Sequence, residues 1–267
     1  MELRDRRVLV TGATGGLGQA IARALREQGA SLVLTGRRAD VLSALAEELG
    51  AEQIAGDLAT AADAERLAAA AGHIDVLVAN AGLSSSGLLT SLGADDVDRA
   101  IDVNLRAPLH LARLLAVGMS ERRSGQIVFI SSLSGMSGQP GSAVYSATKF
   151  GLRGLAQALR AELRPRGVGV STVLPGFIRD AGMFHDAGAK LPWFIGTSSP
   201  DAVVRGVLRA IDKDRGEVVV APEPIRAMTR FAAAAPLTAA RAARLVGGDR
   251  ITAKIIDQLV AGRRRDV

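Results

Sequence analysis

One local pattern constrains the fold more than any other. An apolar run at 7–11 leads into Gly12-Ala13-Thr14-Gly15-Gly16-Leu17-Gly18, and a helical stretch follows over about 17–28. Glycines allow a tight turn and let backbone approach a ligand closely. A helix that starts there offers free amides and a positive dipole end, which suit a pyrophosphate. The required context, strand before and helix after, is present at the start of a βαβ unit.

The rest of the chain continues the pattern. Apolar, β-branched runs lie at 31–35, 74–79, 126–131, 168–174 and 217–220. Between them the spacing predicts helices over about 40–49, 60–71, 95–120, 143–164 and 200–212. Strands that are apolar on both faces, alternating with helices, imply a doubly wound parallel α/β sheet of Rossmann type with helices on both faces. Ligands bind such sheets at the carboxyl ends of the strands. From Pro222 the alternation stops, and a helical, Ala/Arg-rich extension begins. The expected organisation is a catalytic body at 1–221 and an extension at 222–267.

Composition narrows the chemistry. The 267 residues include no cysteine, three histidines, one tryptophan, six phenylalanines and one tyrosine. That excludes disulfides, thiol nucleophiles and Cys-ligated metals. The histidines (His73, His110, His185) lack metal-motif spacing, so no metal is expected. Few aromatics make a poor stacking surface for nucleic acid, and no nucleic-acid partner is expected. The net charge of +6 is uneven. Residues 1–221 hold 24 Lys/Arg against 23 Asp/Glu, and 222–267 hold 9 against 4. The start carries no secretory leader pattern, and no apolar run reaches the ~18 residues of a membrane span. A cytoplasmic protein is the expectation.

The second strand bears on cofactor choice. It ends Leu34-Thr35-Gly36-Arg37-Arg38, with no acid. An acid there would bind ribose hydroxyls and repel a 2′-phosphate; guanidiniums attract one. NADP(H) is therefore expected as the cofactor, with NAD the less favoured alternative. The bland reading of Arg37 and Arg38 is a solvated pair.

Tyr145 lies four residues before Lys149, so the two share a helix face. A free phenol titrates near ~10, and a nearby ammonium stabilises its phenolate. The pair suits proton exchange at a carbonyl or carbinol oxygen. Upstream, the strand at 126–131 runs into Ser132, whose hydroxyl suits a developing oxyanion. Asn80-Ala81-Gly82 follows another strand, and Asn104 sits within a predicted helix, for which solvent exposure is the bland reason.

Taken in order, these residues resemble the short-chain dehydrogenase/reductase family. The matching positions are Thr11-Gly12-x-x-x-Gly16-x-Gly18, Asp57-Leu58, Asn80-Ala81-Gly82, Asn104, Ser132, Tyr145-x-x-x-Lys149 and Pro175-Gly176. The resemblance covers about 5–221 and implies an oxidoreductase. Tyr145 would be the acid/base, Lys149 would lower its pKa and hold the nicotinamide ribose, and Ser132 would polarise the substrate oxygen. Ser131 would be the adjacent, less favoured candidate for that role, a position often structural in the family. Asn104 would hold a water linking Lys149 to solvent. Thr11, Gly12, Thr14, Gly15, Gly16, Leu17 and Gly18 would form the phosphate turn. Arg37 and Arg38 would meet the 2′-phosphate. Asp57 would contact the adenine amino group, with Leu58 against the ring. Asn80, Ala81 and Gly82 would line the adenosine side, and Pro175 and Gly176 would flank the nicotinamide. Gly15 also fits the Thr-Gly-x-x-Gly-x-x-Gly pattern of a longer branch; chain length, Asn80-Ala81-Gly82 and Asn104 favour the shorter one. Where many members place a threonine after Pro-Gly, this chain has Phe177-Ile178-Arg179-Asp180. The resemblance also implies a homodimer or homotetramer built through the helices at 95–120 and 143–164. A cofactor-binding sensor or scaffold is the alternative reading. Such proteins usually lose the tyrosine or lysine, and both are present here.

The segment 183–197 falls where the family has its substrate loop. It gathers Met183, Phe184, Leu191, Trp193, Phe194 and Ile195. An apolar lid over a lipophilic carbonyl or alcohol is expected, balanced against simple packing. In the extension, Ile251, Ile255 and Leu259 share a helix face beside Arg263-Arg264-Arg265. Packing on the protein is favoured there; contact with an anionic membrane surface is the alternative.

Overall fold

A computed structural model describes residues 1–182 and 196–245. Seven parallel strands form one sheet: β1 (Arg7–Thr11), β2 (Ser31–Gly36), β3 (Glu52–Ala55), β4 (Val76–Ala79), β5 (Gly125–Ile130), β6 (Val168–Pro175) and β7 (Glu217–Val220). Their order is β3-β2-β1-β4-β5-β6-β7. The chain winds outward from β1 one way and from β4 the other, so a crevice opens between those two strands at the carboxyl edge.

Helices cover both faces. On one side lie α1 (Gly16–Glu27), α2 (Ala39–Leu49) and α7 (Pro200–Asp212). Their core includes Val8, Val10, Ile21, Leu25, Leu34, Leu42, Val203 and Val207, all buried. On the other side lie α3 (Ala61–Ala71), α4 (Ala94–Ile101), α5 (Ala107–Glu121) and α6 (Ala143–Leu163). There Leu9, Leu77, Leu111, Ile127, Phe129 and Leu152 form the second core. Alternate residues of β1 serve opposite cores, Val8 and Val10 one, Leu9 the other, as the two-residue strand period requires. Each fully buried Leu, Ile or Phe contributes roughly 1.5–3 kcal/mol relative to exposure.

Two elements differ from expectation. β3 has no counterpart in the apolar runs, because Glu52-Gln53-Ile54-Ala55 is a short edge strand with mostly exposed side chains. The helix expected over 95–120 is present but contains an irregular turn. Between α4 and α5, Asp102–Arg106 form a π-turn, closed by Ala107 N–H donating to Asp102 C=O. Such insertions leave the surrounding helix intact while widening it locally, and they often mark functional positions.

After β7 come α8 (Glu223–Ala234) and α9 (Pro236–Leu245). Met228, Phe231, Leu237 and Leu245 are exposed, and in α8 only Thr229 is buried. The amphipathic face at Ile251, Ile255 and Leu259, and all of the apolar substrate-loop residues, lie outside the described residues.

Candidate active site

The described catalytic and cofactor-binding candidates come to the carboxyl edge of the sheet or to helix positions beside it. Thr11 ends β1, and Gly12 to Gly15 make the turn. Gly12 has φ +64°, and a Cβ there would lie 2.7 Å from Ala81 Cα. A Cβ on Gly18 would lie 2.2 Å from Gly12 O. These two positions let the turn touch β4's end on one side and α1 on the other. Thr11 Oγ1 accepts from the backbone N–H of Asn80 and of Ala81, both at 3.0 Å. Asn80 Nδ2 donates to Thr11 O at 3.1 Å and to Gly12 O at 3.2 Å. The carboxamide therefore stitches β1 to β4 across the crevice; Gly82 follows, partly exposed.

The start of α1 is unusually bare. Gly15 is its N-cap, no side chain caps it, and its first turn holds no acid. Among the described residues its leading amides and positive dipole end have no side-chain cap and no acid in the first turn, and Gly16 and Leu17 place no polar group over them. The outer side of the turn is open, since a Cβ on Gly15 would find nothing nearer than Gly12 O at 3.6 Å. The residues present thus fit a dinucleotide pyrophosphate.

Around this turn stand the other binding candidates. Arg37 and Arg38 are exposed after β2. Arg38 Nη2 donates to Thr14 O, so this arginine lies over the glycine turn rather than out in solvent. Leu58 is buried just beyond β3, and Asp57 pairs with Arg99 at 2.6 Å. Arg99, on α4, gave no sign in the sequence, because its partner lies 42 residues away. Pro175 ends β6, and Gly176 N–H donates to Val220 O at 2.9 Å. Beyond it, Ile178 pairs with Ser198 in an isolated parallel bridge.

The second cluster lies after β5. Ser132 is extended, and its Oγ accepts from Ser134 N–H at 3.1 Å. That leaves the hydroxyl proton to donate, and Ser132 stands beside the Tyr145 phenol, whose pKa it lowers. Tyr145 sits in the first turn of α6, and Lys149 Nζ is 5.5 Å from its ring centroid. Lys149 is buried and donates to Ile130 O at 3.0 Å. Ser131 turns inward and donates to Lys149 O at 3.1 Å, in agreement with a structural place for it.

Asn104 is fully buried, which overturns solvent exposure as its explanation. It occupies the π-turn. Its Oδ1 accepts from Leu83 N–H at 2.7 Å, and its Nδ2 donates to Leu83 O at 3.0 Å and to Thr148 Oγ1 at 3.4 Å. Thr148 Oγ1 donates in turn to Tyr145 O at 2.8 Å. A buried polar chain therefore runs from Leu83 through Asn104 and Thr148 to the backbone of Tyr145. Thr148 was not singled out beforehand, although it lies next to Lys149.

The electrostatics depart from the simple expectation. Burial pushes the Tyr145 phenol up to about 12, with the Ser132 hydroxyl acting the other way. Burial pulls the Lys149 ammonium down to about 8. Desolvation disfavours the charged form of both groups and outweighs their mutual attraction across the ring. The expected lowering of the phenol by Lys149 is thus absent. Tyr145 is a protonated phenol at neutral pH. Among the described residues no cluster of His, Cys, Asp or Glu could hold a metal ion.

A family model described as short chain dehydrogenase matches residues 6–191. The chain is a short-chain dehydrogenase. It is 37% identical over 235 residues to the ketoacyl reductase HetN of Nostoc sp., covering 84% of this chain and 81% of that protein. It is 38% identical over 182 residues to the 3-oxoacyl-[acyl-carrier-protein] reductase FabG of Rickettsia conorii, covering 67% of this chain and 75% of that one. Among solved structures, a short-chain dehydrogenase from Sphingobium yanoikuyae in complex with NADPH superposes with a TM-score of 0.76 at 30% identity. The match covers 90% of this chain and 95% of that one. This short-chain dehydrogenase is accordingly an NAD(P)-dependent dehydrogenase/reductase. Among its described residues no helix is long and apolar enough to cross a membrane.

Proposed function

We propose that this dehydrogenase uses NADPH to reduce a lipophilic carbonyl to a secondary alcohol, with Tyr145 as the proton donor. The observation that carries this reading is the cluster of Ser132, Tyr145 and a buried Lys149, its Nζ 5.5 Å from the Tyr145 ring, at the strand edge that holds the glycine turn. When bound, the nicotinamide supplies the hydride. The Gly12–Gly18 turn and the bare start of α1 hold its pyrophosphate. Leu58 and Asp57 lie where an adenine is expected, and Pro175 and Gly176 where the nicotinamide is expected. Arg37 and Arg38, with no acid beside them on β2, favour a 2′-phosphate and hence NADP(H) over NAD(H). The relative solved with NADPH supports the same choice.

Ser132 donates to the carbonyl oxygen and draws charge onto it. Tyr145 then gives that oxygen its phenolic proton. A phenol held near 12 stays protonated at physiological pH, which suits reduction. Lys149 supports the site from below, fixed by Ile130 O and positioned for a ribose hydroxyl. Asn104 and Thr148 hold the backbone of Tyr145 in register.

The substrate class rests on the apolar residues of 183–197 and on relatives named as ketoacyl and 3-oxoacyl reductases. A 3-oxoacyl chain is the first candidate. Residues 1–221 carry the chemistry, and 222–267 form an appendage. Exposed Leu109 and Val117 on α5 and Phe150 on α6 support a homodimer or homotetramer built on those helices. The test is loss of reduced-nicotinamide absorbance against 3-oxoacyl thioesters, bulky ketones and sugars. Turnover of the lipophilic carbonyls with NADPH is expected. Reduction of sugars alone, or equal use of NADH, overturns the reading.

A further inference from the structure

We infer that the face formed by α8 and α9 docks on an anionic phospholipid surface. Two separate observations converge on it. The first is a set of large apolar side chains left in solvent: Met228 at 61% exposure, Phe231 at 49%, Leu237 at 76% and Leu245 at 88%. Single exposed apolar residues are ordinary, but four on two consecutive short helices form a patch that calls for a cover. Arginines accompany them. Over 222–245 the only acid is Glu223, and it is occupied by Arg226 at 2.6 Å. Arg230, Arg241 and Arg244 have no ion pair among the described residues.

The second observation is a groove of about 680 Å³ between α7, β7 and α8. Its cationic lining is Arg209, Lys213, Arg215, Arg226 and Arg230. The acids nearby are already engaged, Asp212 by Lys213 at 3.0 Å and Glu217 by Arg153 at 2.7 Å. Arg226 Nε is buried there without a hydrogen-bond partner. With Lys213 set against Asp212 and Arg226 against Glu223, Arg209, Arg215 and Arg230 remain without an ion pair among the described residues, so the groove presents net positive charge to an anionic group.

Helical geometry joins the two. At 3.6 residues per turn, Thr229 faces inward, and Arg226 and Arg230 point to the groove. Met228 and Phe231 emerge on the other flank. Between these flanks lie exposed Ala227 and Ala234, small enough to let the helix lie close to a surface. Arginines at headgroup level beside apolar residues that enter the acyl boundary match an interfacial helix. A second copy of the chain fits worse, because an isologous contact would lay Arg230, Arg241 and Arg244 against themselves. The sequence beyond Leu245 adds five basic residues against three acids, in the same direction.

The test is flotation of the full chain with phosphatidylglycerol vesicles and with phosphatidylcholine vesicles. Binding to the anionic vesicles only, weakened by salt, is expected. Replacing Arg230, Arg241 and Arg244 together by Glu should lower that affinity roughly a hundredfold. Phe231→Ser combined with Leu237→Ser should lower it about tenfold. Both variants should keep the wild-type melting temperature and solution turnover, which shows that they fold. Absence of binding to either vesicle overturns the proposal, as does equal binding to both. So does full competition by millimolar inorganic phosphate, which would mark a soluble-anion site. A change of oligomeric state in the Ser variant without vesicle binding would assign the face to a second copy instead.

Discussion

Two turns on the carboxyl edge of the sheet do different work with different materials. The turn after β1 is built from absence. Gly12 and Gly18 carry no Cβ because backbone from Ala81 and from the turn itself fills that space, and the first turn of α1 holds no cap. The turn after β5 is built from presence. Ser131, Ser132, Tyr145 and Lys149 pack hydroxyl, phenol and ammonium groups, each with a defined partner. In the proposed reading, binding on one side is thus a steric achievement, and chemistry on the other is one of polar satisfaction. Substitutions should separate the two.

The largest expected effect falls on the second turn. Tyr145→Phe removes the proton donor and keeps the ring. Turnover should fall by about 10²–10⁴-fold, the usual worth of general acid–base catalysis. NADPH affinity, read by fluorescence of the reduced nicotinamide, should stay within about twofold. A rate that survives would separate the phenol from the reaction.

The first turn should respond through stability and binding. Gly18→Ala sets a Cβ 2.2 Å from a backbone oxygen that no rotamer can move. A loss of about 3 kcal/mol in unfolding free energy is expected, together with loss of NADPH binding. Gly15→Ala, whose Cβ meets nothing nearer than 3.6 Å, should stay within about 0.5 kcal/mol. Equal losses in the two variants would mean that the glycines serve chain flexibility and not close approach.

Lys149 gives an effect of similar size with a pH signature. Its pKa falls from 10.5 unfolded to about 8 folded. The unfolded chain therefore binds the proton more tightly, and burying the ammonium costs roughly 3 kcal/mol at pH below 8. The penalty fades as pH rises from 8 to 10.5. Lys149→Met should raise stability by about 1–3 kcal/mol at pH 7, less what the bond to Ile130 O contributes. That gain should shrink towards pH 10. Denaturant unfolding at the two pH values reads it, and a pH-independent difference would sink the idea.

A smaller effect should mark Arg37, which follows β2 and is proposed to select the cofactor. Arg37→Asp replaces a cation by an anion beside the expected 2′-phosphate. Selectivity for NADPH over NADH, as the ratio of kcat/KM values, should fall by about 10–100-fold. An unchanged ratio would leave the choice to Arg38 alone.

These two turns were also unequally legible in the sequence. Glycines, Tyr145, Lys149 and Ser132 stand out because their spacing is local, and their strands are apolar enough to be seen. β3 was invisible because an edge strand buries little, and Glu52-Gln53-Ile54-Ala55 has no apolar run to display. The π-turn at Asp102–Arg106 was invisible because one extra residue in a helical turn barely disturbs a hydrophobic period. Its consequence, the burial of Asn104 against Leu83, depends on a contact 21 residues away. Arg99 and Thr148 were missed for the same reason: their partners are brought by the fold. Burial also decided the titration of Tyr145 and Lys149. Their separation along the helix could be counted, but the depth at which α6 lies on the sheet could not.

The sharpest division between structural support and chemistry runs between two adjacent serines. Ser131 Oγ donates to Lys149 O at 3.1 Å inside the protein, while Ser132 Oγ faces Tyr145. Ser131→Ala leaves a buried carbonyl without its side-chain donor. It should cost about 1 kcal/mol of stability and change turnover little. Ser132→Ala also loses a bond, from Ser134 N–H, worth about 1 kcal/mol, but it should lower turnover by about 10²-fold. Melting curves and initial rates of both variants, taken on one substrate, decide the matter. If Ser131→Ala loses as much rate as Ser132→Ala, the hydroxyl that meets the substrate oxygen is not Ser132's alone. The inward hydrogen bond of Ser131 would then have to open during turnover.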